Sequence, residues 1–439
     1  MIAYICPHHL SSVIKVLPPV IVIGAGAAGL LAARELSLTG FSVTILEAAA
    51  APGGRIHTIG SAEAGAEFIH GELPLSLRLA KEAGIPVHPV RSDMNQVRRG
   101  KWGGEDAFTN GWDELMKKMA ALQEDLPIAR FLEKEFSDEK YSSLRDSVRR
   151  FAEGYDLADL QHASTKALYR EWSHEGDEEE YRLEGGYRRL IDHLIAQCRM
   201  HNASLHCSSP VSHIRWEKGR VEVITTDGRS FTAGKLILTP SLGVWQQAPP
   251  TITPAIPVHL QAIHQLGYGT VIKILLEFQS PFWHKKKPAG RTLFILSDEE
   301  VPTWWTQAKD NNTILTGWLA GDAMRTFRAL DPGDRLDSCL RSLASIFSLD
   351  IAFLRTQLLS SHIVDWSGAP YIYGGYSYET VGSEAARAIL STPVEETLYF
   401  AGEAFYSGSV PATVEAAFHS GRTAALRLIA SMHTDRASS

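Results

Sequence analysis

The stretch Val20–Glu47, VIVIGAGAAGLLAARELSLTGFSVTILE, most constrains what this chain can fold into, because strand, glycine turn, helix, second strand and terminal acid follow in one unbroken order. The apolar run Val20 to Ile23 reads as a buried parallel strand, and Gly24, Gly26 and Gly29 form GxGxxG where it ends. In such a turn Gly24 permits the tight bend and Gly26 lets the backbone approach a pyrophosphate. Gly29 allows the helix to lie close on the strand, and Ala28 is a further position on the cofactor side. The helix turns its free N–H groups and positive dipole end toward the phosphates. Leu30, Leu31, Ala33 and Leu36 make its apolar face, and Gly40 is placed to end it. Val43, Ile45 and Leu46 then form the second strand, leaving Glu47 at its carboxyl end, where a carboxylate accepts both ribose hydroxyls. An acid there repels a 2′-phosphate, which favours FAD or NAD over NADP.

At 439 residues the chain is long for one core, so two or three domains are expected. With 43 basic and 50 acidic residues the net charge is −7, which argues against a general nucleic-acid binder. Cys6, Cys198, Cys207 and Cys339 form no CxxC pair, so neither a disulfide framework nor a zinc site is indicated, and a reducing cytoplasm is the expected compartment. Val16 to Ala33 carries no charge, yet Pro18, Pro19 and the glycine pattern favour a strand–turn–helix over a membrane span. The preceding MIAYICPHHLSSVIKV reads as a ragged extension, and His8 and His9 have no nearby partners that would make them metal ligands. No metal is expected.

From about Leu75 to Cys198 the pattern is largely helical, as in LMKKMAAL and LRDSVRRFAEG, which suggests an inserted helical substrate domain. Strand character returns at VSHIRW and VEVITTDGRSFTAGKLILTP, with Asp227 and Gly228 as a hairpin turn. GYGTVIKILLEF reads as a strand, DRLDSCLRSLASIF as a helix, and PATVEAAFHSGRTAALRLIA as an amphipathic helix with Pro411 near its start. The acidic run from Glu171 to Glu180 is either a solvated face or an electrostatic lure for a polycation.

Several segments in the same order, spanning residues 20 to 425, resemble the flavin-containing amine oxidase family of monoamine oxidases, polyamine oxidases and lysine-specific histone demethylases. They are VIVIGAGAAGLLAAREL continuing into LEAAAAPGGRIHT, then GAEFIHG, YGTVIKILLEF, DWSGAPYIYGGYSY and FAGEAFYSGSVPATVEAAFHSG. The resemblance implies an α/β fold: a Rossmann-type FAD-binding domain (1–78, 206–262 and 363–439) and a discontinuous mixed sheet-and-helix substrate domain (79–205 and 263–362). It would set Gly54 and Arg55 by the pyrophosphate, Gly65, Ala66, Glu67 and Phe68 beside the flavin, and Val211 at the adenine. Glu403, after Gly402, would bind the ribityl or phosphate region, and Thr413 and Val414 would open a helix facing the pyrimidine edge of the ring. A helix N-terminus there stabilises the negative charge of a reduced flavin.

Lys273 carries the strongest expectation, since a lone lysine in the apolar strand Val271, Ile272, Ile274, Leu275 needs a partner or a purpose. In the family that lysine holds a water at the flavin. Tyr376 would form one wall of an aromatic cage that guides a cationic amine. Trp366 falls near the flavin or has a core role, and His70 lies beside the active site or is a structural histidine. Monoamine oxidases carry a flavin-bonding cysteine where this chain has Gly375, so the FAD is expected to be noncovalent. Thr413 stands where their second cage tyrosine would, as in the histone demethylases, so the cage is one-sided and a small aryl-alkylamine substrate is not expected; no tower insertion or chromatin-binding module is evident, so a histone demethylase role is not expected either. The resulting expectation is oxidation of an amine by hydride transfer to FAD, with oxygen as acceptor, leaning to a polyamine or another extended cationic amine. An amino-acid oxidase, a C–C or ring dehydrogenase, and a noncatalytic FAD-stabilised interaction protein remain alternatives. No arginine is assignable as the carboxylate clamp an amino-acid oxidase needs.

Overall fold

The structure is a computed structural model that describes residues 17–71, 73–103, 111–173, 179–285, 291–307 and 311–434. His8, His9 and Cys6, together with Glu175, Asp177 and Glu178 of the acidic run, lie outside the described residues.

Val20–Ile23 is buried along its whole length and pairs in parallel with Val43–Leu46 on one side and Lys235–Leu238 on the other. Among the described residues these strands belong to a parallel sheet ordered Ala203–His206, Val43–Leu46, Val20–Ile23, Lys235–Leu238, Leu398–Phe400. Strand order reverses beside Val20–Ile23, and ligands of open α/β sheets bind in the crevice at such a switch point. Helices Ala27–Leu38, Arg188–Met200 and Val414–Thr434 cover one face, joined through Leu30, Leu31, Leu194, Phe418 and Leu428. The closing helix meets the glycine-turn helix closely: a Cβ on Gly421 would stand 2.1 Å from the Ala28 carbonyl oxygen. The other face packs on Leu236, Leu238, Trp245, Ile263 and Phe400.

A second sheet runs Leu358–Asp365, Val271–Phe278, Ile314–Ala320, Thr303–Thr306, Thr292–Ser297, Ser92–Arg98, Lys101–Gly103. Val271–Phe278 is flanked on both sides, so alternation sends its residues to two different places. Ile272, Ile274, Leu276 and Phe278 pack on helix Pro332–Phe347 through Cys339, Leu340, Leu343 and Ile346. Val271, Lys273 and Leu275 point the other way, toward the nucleotide half, where Val271 meets Trp366 and Leu275 meets Ala62 and Ala64. Helices Trp112–Ala120, Ile128–Glu135, Ser142–Gly154 and Thr165–Trp172 share their own core around Leu115, Phe131, Val148 and Trp172.

The structure departs from the largely helical expectation for Leu75 to Cys198. Val87–Val90, Ser92–Arg98, Lys101–Gly103 and Glu180–Leu183 are strands. The half-exposed, polar SDMNQVR lacks a strand's apolar alternation and is held by parallel pairing with Thr292–Ser297, so tertiary pairing overrides local preference. The boundary expected at 206 also shifts, because Ala203–His206 joins the parallel sheet and Arg188–Met200 packs in the core beneath it. The Asp227–Gly228 hairpin forms as expected, with Gly228 at φ +84°.

Candidate functional site

A cavity of about 2180 Å³ extends from the glycine turn to the lysine strand and out to an exposed rim. It exceeds the ~300–1,000 Å³ typical of small-ligand pockets, so a dinucleotide and a substrate can share it. At the nucleotide end Gly24 has φ +103°, and a Cβ on Gly29 would stand 2.0 Å from the Gly24 carbonyl oxygen. Gly26 bridges Gly53, and a Cβ on Gly54 would meet Gly26 Cα at 3.5 Å, so two bare backbones face one another there. Glu47 is 8% exposed; its Oε2 accepts from Ala25 N at 2.7 Å and its Oε1 from Ala49 N at 2.8 Å. Burial pushes this carboxyl up, and the N–H groups of Ala49, Ala25 and Ala48 pull against that. Ala28 and Val211 also line the cavity.

Midway, Arg55 Nη1 donates to Glu403 Oε1 at 2.8 Å and to the Gly375 carbonyl at 2.8 Å. Burial works against the guanidinium's charge, but Tyr268 and Glu403 outweigh it and hold its pKa above the ordinary value. Ser377 N also donates to Glu403 Oε1, so Arg55 and Ser377 hold that carboxylate oxygen together, and Gly402 N donates to Ser420 Oγ, which ties down the backbone before it. A Cβ on Gly375 would lie 2.6 Å from Leu157 Cδ1, so a side chain there requires Leu157 to shift. Thr413 Oγ1 accepts from Ala416 N at 3.0 Å and donates to Val410 O at 2.8 Å, capping the helix that starts at Val414. Both residues line the cavity.

At the far end Lys273 is 2% exposed, and its Nζ donates to Gly65 O at 3.0 Å and to Glu67 Oε2 at 2.7 Å. Glu67 Oε1 takes Arg182 Nη2 at 2.6 Å, Trp305 Nε1 at 3.2 Å and Gln307 Nε2 at 3.3 Å. Burial raises the Glu67 carboxyl, but Lys273 and Arg182 together outweigh it and hold it below the ordinary carboxylate range. Ala66 N donates to the Arg55 carbonyl, which joins this loop to the middle of the cavity. Phe68 lies among Phe294, Trp305 and His70, with the Arg182 guanidinium 4.5 Å from its ring centroid. Trp366, 6% exposed, donates from Nε1 to Ala64 O at 2.9 Å.

Tyr376 lies along Trp318, with ring centroids 6.3 Å apart and planes 26° from parallel, and donates its hydroxyl to Tyr155 O. Burial, followed by Tyr155, Asp156 and Glu171, keeps that hydroxyl protonated well beyond the ordinary tyrosine range. His70 Nδ1 stands 3.1 Å from Glu180 Oε1 on the paired strand. Glu171 is solvent-exposed but reaches into the cavity, ringed by protein; this enclosure and then Glu379 push its carboxyl up to about 7.

The Glu67 partners Arg182, Trp305 and Gln307 were missed in the sequence, as was Trp318. The signal was the question raised by Lys273 itself: a buried ammonium demands a carboxylate, and Glu67 is an acid inside the otherwise apolar GAEFI segment. The residues present fit an FAD. Its phosphates match the side-chain-free Gly26–Gly54 approach, its ribose the acid at the strand end, and its ring the helix start at Thr413. Among the described residues no cluster of three His, Cys, Asp or Glu could hold a metal, and no helix is long and apolar enough to cross a membrane.

The family described as "Flavin containing amine oxidoreductase" matches residues 27–429. The chain belongs to this family. Its relatives include "Lysine-specific histone demethylase 2" of Homo sapiens, 28% identical over 94% of this chain and 53% of that protein. "Polyamine oxidase 4" of Oryza sativa subsp. japonica is 27% identical over 93% of this chain and 88% of that protein. The chain thus spans about half the length of the histone demethylase. Among solved structures, putrescine oxidase bound to putrescine superposes with TM-score 0.79 at 20% identity, covering 94% of this chain and 99% of that one. Cyclohexylamine oxidase from Brevibacterium oxydans IH-35A superposes with TM-score 0.76 at 21% identity, over 95% and 99%. At these identities the two structures show the shared fold of this flavin family.

Proposed function

We propose that this family member is an FAD-dependent amine oxidase acting on a polyamine or another extended cationic amine. The observation that carries the reading is the far end of the cavity, where Lys273, Tyr376 and the carboxylate of Glu171 line one space. Noncovalent FAD would be held by the glycine turn, Glu47, Arg55, Glu403 and the helix start at Thr413, and it supplies the two-electron acceptor that oxygen restores with release of hydrogen peroxide. The amine gives up a hydride from its α-carbon, and the imine hydrolyses to an aldehyde and a smaller amine.

The chain's own part is placement and water exclusion. Tyr376 and Trp318 offer aromatic faces to an approaching ammonium. Glu171 and Asp156 make this wall acidic, which suits a second positive centre farther along the substrate, while Glu379 is taken up by Arg170 and Arg387. Tyr376 is tied to the Tyr155 carbonyl, so it acts as a wall rather than as a proton donor. His70, paired with Glu180, adds a positioning contact on the opposite wall. Arg182, which reaches Glu67 beside Lys273, is already engaged by that carboxylate and is not free to clamp an amino-acid carboxylate, which weighs against an amino-acid oxidase. The exposed rim mixes Arg98, Arg99, Arg149 and Arg150 with Asp146, Asp298 and Asp322, so it offers no continuous acidic track for a long basic peptide. Cys198, Cys207 and Cys339 are unpaired, which fits a reducing cytoplasm.

The test is anaerobic bleaching of the bound flavin by spermine, spermidine, their acetylated forms, putrescine, benzylamine, a methyl-lysine peptide and amino acids. Polyamines are expected to bleach fastest. If no amine alters the oxidised spectrum, the reading fails, and faster bleaching by the peptide or by amino acids replaces the substrate class.

A further inference from the structure

Lys273 and Glu67 form an ion pair buried on both sides, with side chains 3% and 4% exposed. The pair sits on elements far apart in the chain: Lys273 on the face of Val271–Phe278 turned toward the nucleotide half, Glu67 in the loop after Gly65. Two of the three ammonium protons are committed, one to Glu67 and one to the Gly65 carbonyl, which leaves a single N–H for the cavity that Lys273 lines. The carboxylate cannot swing away, because its other oxygen is held by Arg182, Trp305 and Gln307. The lysine also stands 5.3 Å from the Trp305 ring centroid, so one tryptophan braces both partners. Lys273, Glu67 and Arg182 together carry one net positive charge; Glu63, buried close enough to feel both Glu67 and Lys273, has its carboxyl pushed up by burial and accepts from Thr58 Oγ1 and Tyr187 N.

We propose that Glu67 is a positioning residue: by clamping the Lys273 ammonium it fixes one N–H and one positive charge at the flavin end of the cavity, with Arg182 holding the carboxylate in place. A buried cation is stable where a counter-ion and hydrogen bonds compensate its lost hydration, and removing one partner of such a pair leaves the other uncompensated. Lys273 is thereby a geometrically fixed element of the site. The inference rests on the FAD reading above but not on which amine is oxidised.

Sulfite adds to the N5 position of oxidised flavins and bleaches them, and a nearby positive charge strengthens that binding, so its affinity reads the charge without turnover. Dividing the sulfite dissociation constant of Lys273→Met by that of the unsubstituted holoprotein at each pH cancels the ionisation of sulfite itself. The ratio is expected to exceed about ten-fold and to stay constant within about two-fold from pH 6 to pH 9. In Glu67→Gln two buried cations face a neutral amide, and the ratio of Glu67→Gln/Lys273→Met to Glu67→Gln is expected to fall about ten-fold across that range. Glu67→Asp, which keeps the carboxylate, is expected to restore a flat ratio. A Glu67→Gln ratio as flat and as high as the parent's overturns the proposal. Should Glu67→Gln not fold, the unsubstituted ratio decides: constancy supports the fixed charge and collapse toward one refutes it. A parent that bleaches with sulfite as expected but with no amine refutes the amine reading alone, whereas a chain that takes up no FAD refutes both.

Discussion

Replacing Glu47 by Gln tests whether the acid at the end of the second strand is a cofactor ligand or only a structural cap. The two carboxylate oxygens each accept one backbone N–H, from Ala25 at 2.7 Å and Ala49 at 2.8 Å, and each keeps a lone pair for a ribose hydroxyl. Gln has the same shape, but its NH2 must face one of those N–H groups. One bond to a charged group is lost and one buried donor is left unmet, which destabilises the apoprotein by about 1–3 kcal/mol. The amide nitrogen also cannot accept a ribose hydroxyl, so FAD binding should weaken by about 10- to 100-fold, or about 1.4–2.7 kcal/mol. Titrating apoprotein with FAD, followed by quenching of flavin fluorescence, reads the second quantity, and urea unfolding of the apoprotein reads the first. Because burial raises the Glu47 carboxyl, parent affinity should fall on acidification before an exposed glutamate would protonate, and Glu47→Gln should lack that step. An apoprotein destabilised as expected that still binds FAD within about two-fold of the parent refutes the ligand role.

Gly29→Ala places a Cβ 2.0 Å from the Gly24 carbonyl oxygen, a backbone clash that no rotamer relieves, so soluble flavin-loaded protein should drop sharply; Gly103→Ala, which meets nothing within 4 Å, is expected to match the parent in flavin absorbance per mole. Glu171→Gln bears on pH. The folded Glu171 carboxyl is raised to about 7 from 4.5, so the fold binds an extra proton between those values, and its contribution to stability is lost as pH rises through that window. Relative to the parent, the variant's melting temperature should therefore be higher at pH 8.5 than at pH 5, and equal differences at both would show that the carboxylate is not constrained. Lys273→Met should slow anaerobic bleaching of the flavin by substrate, its reoxidation by oxygen, or both, in stopped-flow absorbance; rates indistinguishable from the parent in both half-reactions would remove the lysine from the chemistry.

The nucleotide half was legible where its signals are local. Gly24, Gly26, Gly29 and Glu47 lie within one strand–helix–strand unit, and VIKILLEF announces a strand flanked on both sides with one misplaced cation. The remainder depends on pairings that short-range patterns cannot carry. Ser92–Arg98 is a strand because Thr292–Ser297 lies beside it, and Ala203–His206 belongs to the parallel sheet because Val43–Leu46 accepts it as an edge. Glu67 finds Lys273 across 206 residues and Arg182 across 115, so its ionic partners were not readable from local sequence. Burial of an acid in an apolar segment was the local trace of that network.

The close seat of Gly421 on Ala28 has a consequence in time. Helix Ala27–Leu38 is completed by Val414–Thr434, and the parallel sheet takes an edge strand from Leu398–Phe400. At a synthesis rate of about 5–20 residues per second, the glycine turn waits about 20–80 s on the ribosome for these partners. During that interval Lys235–Leu238 lacks its Leu398–Phe400 neighbour, and helix Ala27–Leu38 has an uncovered face. The parallel sheet and its covering helices are therefore complete only after Val414–Thr434 has emerged.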